Sequence, residues 1–562
     1  MKSLLVAAGL LVGASAWATT ETYEFSAHTG NFTYPSGHIT FTGTSTWGYM
    51  VTDEWLDGRF AFEDGTSSGT HRNYWTVRQF KTNDVYVTGL NNTNSTARMF
   101  AIYNLGKGDV ITITMPDASN DKITASTTNI KKEDTGVAVA ADEQIVSGQR
   151  YVVTTDEATT SVVFKGAQYC CVTKIEIESI SATIAELKAN ETSSDFATYI
   201  DGLTFNSVND VYAAHTAWQA SHAVVTDGLR DITKVIRNAA IADATAWGGA
   251  STRSGEQYTG APDDTYLDIY NGTINSNQTI YGVPAGVYVI KAATRASSGT
   301  PGTLYVNDGT SDIGKVGQIT NVGNTGGDLG NGWSYQEMVV TLTSTKNLLI
   351  GFWADASSIK WAGCDDWHMY KVESVSKTIT AGWATYCSPY ALDFSSSIDN
   401  LEAAYIVTGG NGSTLTTTQI TGAIPANTGI LLKGSGECVI PVVASGDAAN
   451  VSGNKLVGVT SAAHFDQNTI YVLMATPSEG FYKNANAEGF TVGANTAYLP
   501  ADFAGAAAPA FYSLFDSETT GVGATLVNSE RVNNEVFYLQ GQRVGQPTKG
   551  LYIVGGRKVI VK

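Results

Sequence analysis

The sequence predicts a mainly β protein: two jelly-roll β-sandwiches joined by a small helical connector, then a third β domain and a short C-terminal β unit. Three observations lead there. Only 15% of the 562 residues are charged, against a usual quarter, and Thr, Ser, Asn and Gly are abundant between the apolar positions. Short β-rich runs recur along most of the chain, separated by Gly, Asn and Asp turns. The length is roughly three to four times that of an ordinary domain, so one core cannot absorb it. A hydrophobic content of 43% suffices for several folded cores and excludes global disorder.

Residues 1–18 read as a secretory signal peptide. Met1-Lys2 supplies the positive start, residues 4–12 an apolar run, and Ala16 and Ala18 the small residues before a cleavage site at Thr19. The apolar run is too short to span a bilayer, and no later stretch is long enough either, so no transmembrane anchor is expected. No cysteine precedes Cys170, which excludes a lipid-modified N-terminus. The expected localisation is extracellular or at the outer-membrane surface.

Residues 19–180 read as the first sandwich, with runs such as Val110-Ile111-Thr112-Ile113-Thr114 and Lys174-Ile175-Glu176-Ile177. Helical periodicity marks 181–225 as the connector. One short helix is centred on Ile184 and Leu187, and a second runs over 208–224 with Ser207 as N-cap. The second sandwich spans 226–374, with strands around 287–290, 337–342 and 348–352. The third β domain spans 375–515, with strands around 404–407, 429–432 and 470–473. The last segment is 516–562, and from Ser517 onward six Lys and Arg stand against three Glu, a reversal in an otherwise acidic chain.

The overall balance is 34 Lys and Arg against 52 Asp and Glu, a formal net charge of −18. A nucleic-acid binder needs basic stripes to displace phosphate counterions, so that class is excluded. Docking on an anionic membrane is disfavoured for the same reason. Five cysteines do not make a disulfide scaffold. Cys170 and Cys171, adjacent on a strand, point to opposite faces and are expected as free thiols. A single bridge, Cys387 to Cys438, is expected among the remainder.

Two stretches resemble known families. The ending Val536-Phe537-Tyr538-Leu539-Gln540-Gly541-Gln542-Arg543-Val544, Gly550-Leu551-Tyr552-Ile553-Val554 and Lys558-Val559-Ile560-Val561-Lys562 looks like a C-terminal sorting segment of the type IX secretion route of Gram-negative bacteria. The resemblance implies that this segment engages the secretion machinery. The stretch containing Ile232-Thr233-Lys234-Val235-Ile236, Pro284-Ala285-Gly286-Val287-Tyr288 and Trp361-Ala362-Gly363-Cys364-Asp365-Asp366-Trp367 resembles the galactose-binding-like jelly rolls of secreted carbohydrate-active proteins. That resemblance implies opening and closing strands side by side, and a structural calcium held by an acidic residue of the closing strand, Asp365 or Asp366. On an unbroken strand Cys364, Asp366 and His368 share one face and Asp365 and Trp367 the other. With Trp367 in the core, Asp366 is the better ligand. Domain three, around Gly382-Trp383-Ala384-Thr385-Tyr386-Cys387, looks like a β module of such proteins.

Catalytic patterns are weak. Gly65-Thr66-Ser67-Ser68-Gly69 matches G-x-S-x-G but sits among polar turn residues, not between a buried strand and a helix. The acidic pairs Asp53-Glu54, Glu63-Asp64, Asp263-Asp264 and Asp365-Asp366 are neighbours whose side chains diverge on a strand, so none is by itself a hydrolase dyad. No catalytic residue is expected.

Aromatic residues are more informative, because a flat ring can cover the apolar C–H face of a sugar while nearby polar groups bond its hydroxyls. Domain one offers Trp47, Trp55, His71, Tyr74, Trp75 and Arg78. Domain two offers Trp333, Tyr335, Tyr258, Tyr266, Asn331 and Trp361, with Trp333 on a Gly-rich loop expected to be mobile. Trp353 and Trp367 are expected in the core, and His215 and His222 as packing or surface residues. The expected function is a secreted, non-catalytic protein binding a polysaccharide or other glycan. The alternatives are a surface adhesin with protein partners or, less favoured, a polysaccharide-degrading enzyme.

Overall fold

The computed structural model describes residues 98–514 apart from 117–122, 156–159, 167–169, 245, 256 and 506–507. It also describes strand segments on either side, at 20–25, 32–33, 40–45, 48–51, 60–62, 75–82, 85–92, 536–537, 543–545, 549–554 and 557–561. The chain is mainly β, with several antiparallel sheets and three short helices, and divides into two compact units, Met1–Val372 and Glu373–Lys562.

In the first unit, a five-stranded sheet (Thr20–Glu24, Lys174–Glu178, Val110–Thr114, Arg150–Val153, Ile130–Lys132) and a four-stranded sheet (Ile123–Ala125, Thr160–Gly166, Arg98–Leu105, Phe60–Phe62) contribute to one core. β-Branched and aromatic side chains at alternate positions fill it: Ile111, Ile113, Ile175, Ile177 and Tyr151 are buried from one sheet, and Phe100 stacks on Phe164 at 5.2 Å from the other. The leader, Trp47, Trp55, His71, Tyr74, the Gly65–Gly69 pattern and the pairs Asp53-Glu54 and Glu63-Asp64 lie outside the described residues. Trp75 and Arg78 fall on the strand Trp75–Thr82.

Three helices follow, α1 (Ile180–Glu191), α2 (Ser194–Asp201) and α3 (Val208–His222). Each is capped by a serine: the hydroxyls of Ser179, Ser193 and Ser207 accept from the amides of Ala182, Phe196 and Asp210. The sequence reading had two helices; α2 is the additional one, signalled by Ser193 and by the buried pair Phe196 and Ile200 four residues apart. His215 is buried against Glu191 (Nε2 to Oε1 2.8 Å), a packing role, whereas His222 is exposed.

The second sandwich sets a sheet centred on Gly286–Ala296 against a four-stranded sheet in the order Thr273–Val283, Lys346–Asp355, Gly302–Asn307, Asp312–Lys315. Gly286–Ala296 pairs with Ser334–Leu342 and with the closing strand Trp361–Val372. The closing strand also pairs with Leu229–Asp231, so opening and closing strands do lie side by side. The opening strand ends at Asp231, because Thr233–Val235 turns into a 3-10 helix.

In the second unit the long strand Ser374–Cys387 pairs with Gly429–Val443. Ile379, Tyr386, Ile430, Leu432 and Ile440 form one core and Trp383, Tyr471, Phe481 and Tyr512 another. All five cysteines are free and buried, so the expected Cys387–Cys438 bridge is absent. Cys387 pairs with Gly429, whereas Cys438 pairs with Lys377, nine residues further along. That separation, about 30 Å at strand rise, is far beyond disulfide reach. At the end of the chain, Val536–Phe537, Arg543–Val544, Gly550–Val554 and Arg557–Val561 form a four-stranded antiparallel sheet.

Candidate functional site

The closing strand of the second sandwich is not continuous in its alternation. Asp366 adopts a left-handed backbone (φ 48°), and the register against Gly286–Ala296 shifts between Lys291 and Ala293. This bulge inserts one residue, so Cys364, Trp367 and Met369 all point into the core. The expectation that Cys364, Asp366 and His368 share a face is therefore wrong. Asp365, not exposed at all, sits beneath the surface, and Asp366 is thrown outward.

The two neighbouring carboxyls behave oppositely. Burial pushes Asp365 up to about 8. Asp366 is also disfavoured by burial, yet hydrogen bonds from His368 and Tyr335 hold it below the ordinary aspartate value. Its Oδ1 meets His368 Nε2 at 3.1 Å, and its Oδ2 accepts from the hydroxyls of Tyr258 at 3.2 Å and of Tyr335. Asp365 Oδ1 accepts the backbone N–H of Asp366 at 2.7 Å. Calcium takes six to eight oxygens. Here both oxygens of Asp366 are already engaged, and among the described residues no three His, Cys, Asp or Glu side chains stand together as a metal group. Asp366 thus has both oxygens engaged within the chain, while Asp365 Oδ2 is buried without a hydrogen-bond partner.

The aromatic residues expected to bind ligand do gather, but around a cation of the chain itself. The guanidinium of Arg295 lies 5.1 Å from the ring of Tyr266, 5.0 Å from Trp333 and 5.1 Å from Trp361, and donates to Tyr266 Oη at 2.8 Å. Tyr258 packs edge-on to Trp333. Trp333 and Tyr266 are 0% exposed, so neither can offer a ring face to a ligand.

The Gly-rich loop that carries Trp333 is tightly built. Gly332 has φ 82°, and a Cβ there would fall 1.8 Å from the carbonyl oxygen of Gly323. Its amide donates to Gly326, and the amide of Leu329 donates to Trp333. Asn331 is exposed, but its side-chain amide donates to the carbonyl of Gln257 at 2.9 Å and staples the loop down. The expectation of a mobile loop with a solvent-facing indole is corrected: the glycines permit close backbone approach and sink the ring.

The opposite correction applies to Trp353. Leu348, Ile350, Phe352 and Ala354 are buried in the core, so Leu349, Gly351 and Trp353 point away from it. Trp353 is only half-buried, on the outer face of the four-stranded sheet. Beside it Tyr305, which the sequence reading did not single out, stands opposite Gly351 and reaches over it to the next strand, where its hydroxyl donates to Asn275 Oδ1 at 2.7 Å. A Cβ on Gly351 would lie 2.3 Å from Tyr305 Cζ, so the ring can lie there only because that residue is glycine. A groove of about 590 Å³ opens along this face, lined by Trp353, Tyr305, Asn275, Thr303, Gln318 and the ion pair of Lys315 with Asp312 (3.8 Å). A glycine between large residues in Leu-Leu-Ile-Gly-Phe-Trp-Ala was the signal available in the sequence: it sits on the face of Trp353.

No family model matches this chain, and no curated protein matches it. Among solved structures it is similar to TmCBM61, determined in complex with β-1,4-galactotriose, at 17% identity and a TM-score of 0.20, over 24% of this chain and 96% of that one. It is also similar to the isomalto-dextranase of Arthrobacter globiformis T6 complexed with panose (11% identity, TM-score 0.17, 50% of this chain and 35% of that one). A third is a xanthan lyase of Paenibacillus (9% identity, TM-score 0.20, 66% and 36%). These are distant structural similarities to a carbohydrate-binding module and to glycan-active enzymes, without a family assignment.

Proposed function

We propose that this protein is a secreted, non-catalytic glycan-binding protein whose binding surface is the groove of Tyr305 and Trp353. The observation that carries the reading is the outer-face pair itself. Two aromatic residues, left partly uncovered by the fold, stand beside the exposed side-chain amides of Asn275 and Gln318. Rings cover apolar sugar faces, and a few placed polar groups orient the hydroxyls. Hydrolysis of a glycosidic bond ordinarily needs two carboxylates flanking it. Among the described residues lining this groove only Asp312 carries one, and it is paired with Lys315. The signal-peptide pattern and the sorting-like C-terminal segment support export and surface delivery.

Affinity gel electrophoresis of the full mature chain tests the reading, with soluble galactan, xylan, mannan and mixed-linkage β-glucan in the gel. Retention by at least one polymer, lost in Trp353→Ala at an unchanged melting temperature, is the expected result. Free migration in all four gels, or retention untouched by the substitution, overturns it.

A further inference from the structure

The outer face of the four-stranded sheet continues beyond the groove. Its central register sets Asn275, Trp353 and Thr303 side by side in one row. The next row is Asn277, Gly351 and Tyr305, and the third is Thr279, Leu349 and Asn307. A second hollow of about 480 Å³ opens at that third row, lined by Thr279, Asn307, Leu349, Asp308 and Lys346. The two hollows lie on one face of three paired strands, with Tyr305 between them. Rows two residues apart are separated by about 7 Å, so the first and third stand about 13 Å apart, more than one pyranose ring can fill.

Resting on the glycan-binding reading above, we infer that the surface takes a neutral, linear polysaccharide along its length, engaging several consecutive sugars of a chain interior through both hollows rather than a single terminal sugar. Three features argue for this ligand. Both hollows lie on the same face along the strands, so an extended chain can run from one to the other. The ring of Tyr305 is fixed by Gly351 below and Asn275 at its tip, so ordering it costs little on binding. The charges on the face are matched, Lys315 with Asp312 at 3.8 Å and Lys346 with Asp308 at 3.5 Å, which leaves no cationic excess to select a uronic-acid polymer. Asp308 is held ionised, at about 2, by hydrogen bonds from Thr310 and Ser311, so its charge persists across the neutral range.

The test uses the full mature chain and the polymer that retains it among galactan, xylan, mannan and mixed-linkage β-glucan. Calorimetric titration with its oligosaccharides of one to six units should show affinity rising at least tenfold from the disaccharide to the hexasaccharide. Borohydride reduction of the polymer's ends should leave retention unchanged, and polygalacturonate should retain the protein no better. Thr279→Arg, which fills the second hollow, should weaken the hexasaccharide at least tenfold and leave the disaccharide unaffected, with Thr279→Ser behaving as wild type. If polymer is retained but disaccharide and hexasaccharide bind alike, or polygalacturonate binds best, the inference fails while the glycan-binding reading stands. If no polymer retains the wild type, the reading itself has failed. The length series needs no variant, so it decides even where Thr279→Arg does not fold.

Discussion

Tyr305 lies across Gly351. The phenol ring occupies the space that any side chain at residue 351 would fill, and its hydroxyl is tied to Asn275 on the far side of the intervening strand. Gly351→Ala should therefore displace the ring rather than disrupt the core, because the residue points away from it. The expected outcome is a loss of about 0.5–1.5 kcal/mol, the worth of one hydrogen bond, together with loss of polysaccharide retention. Chemical denaturation and affinity electrophoresis of the one variant measure both. Full retention in Gly351→Ala would separate the Tyr305 ring from binding.

Trp333 and Trp353 exchange the roles that sequence suggests, and their truncations should differ accordingly. Trp333→Ala removes a wholly buried indole packed against Tyr258, Tyr266 and Arg295, and should cost about 3–5 kcal/mol. Trp353→Ala, on the outer face, should cost no more than about 0.5 kcal/mol, in the range of surface substitutions. Urea midpoints rank the two. Equal destabilisation would contradict the burial pattern.

Much of this architecture is legible in the sequence because strands, turns and serine caps are local signals. Ser207 before α3 and the runs at 287–290 and 348–352 are readable there, whereas the pairing of opening and closing strands is what the family resemblance implies. The site was only partly so. The aromatic residues of the second sandwich were recognised as a group, but which face each one takes depends on a bulge and on tertiary packing. Asp366 adopts a backbone that no neighbouring residue announces, and it inverts the alternation of everything around it. Trp333 was placed outside because glycines suggest mobility, whereas here they permit a tight loop. The apparent Cys387–Cys438 pair failed because register separates the two residues by most of a strand.

The Asp365 carboxyl gives stability a distinct pH dependence. Its folded value, about 8, lies above the unfolded value of about 3.9, so the folded state holds the proton more tightly. Stability from this group is complete below about pH 4 and is lost as pH rises toward 8, with a slope approaching about 1.4 kcal/mol per pH unit between. Asp366 has the opposite sign, since its folded value is depressed: its contribution is present above the unfolded value and is lost as pH falls through the folded one. The two windows are separate. Asp365→Asn should flatten the decline between pH 5 and 8, read from urea midpoints across that range. An unaltered slope would mean Asp365 is ionised in the fold.

Calcium should not move the stability of the second sandwich through Asp365 and Asp366. An ion that binds only the folded state raises stability with the logarithm of its excess over the dissociation constant. With Asp366 saturated by Tyr258, Tyr335 and His368, thermal melts in millimolar calcium and in excess chelator should superimpose. A rise in melting temperature with calcium that Asp366→Asn removes would reinstate the metal.

Arg150 gathers two carboxylates of the first sandwich, one of which reaches α3. Its guanidinium is paired with Glu133 at 2.5 Å and with Glu178, and Glu133 in turn accepts from the side chain of Asn209 on α3 at 2.9 Å. Glu178 is buried beside this arginine, and burial alone would raise its pKa; the charge and hydrogen bonds of Arg150 more than offset that and keep it ionised. Removing the arginine strands that carboxylate. Arg150→Met should therefore destabilise the unit by about 3–5 kcal/mol, the cost of breaking a buried ion pair from one side. Replacing both members, Arg150→Met with Glu178→Leu, removes that stranded carboxylate but leaves Glu133 without Arg150 and Arg237 without the charge of Glu178. The double variant should thus recover part of the loss. Denaturation of the two singles and the double at pH 7 gives the coupling directly. Additive losses would show that Arg150 and Glu178 act independently.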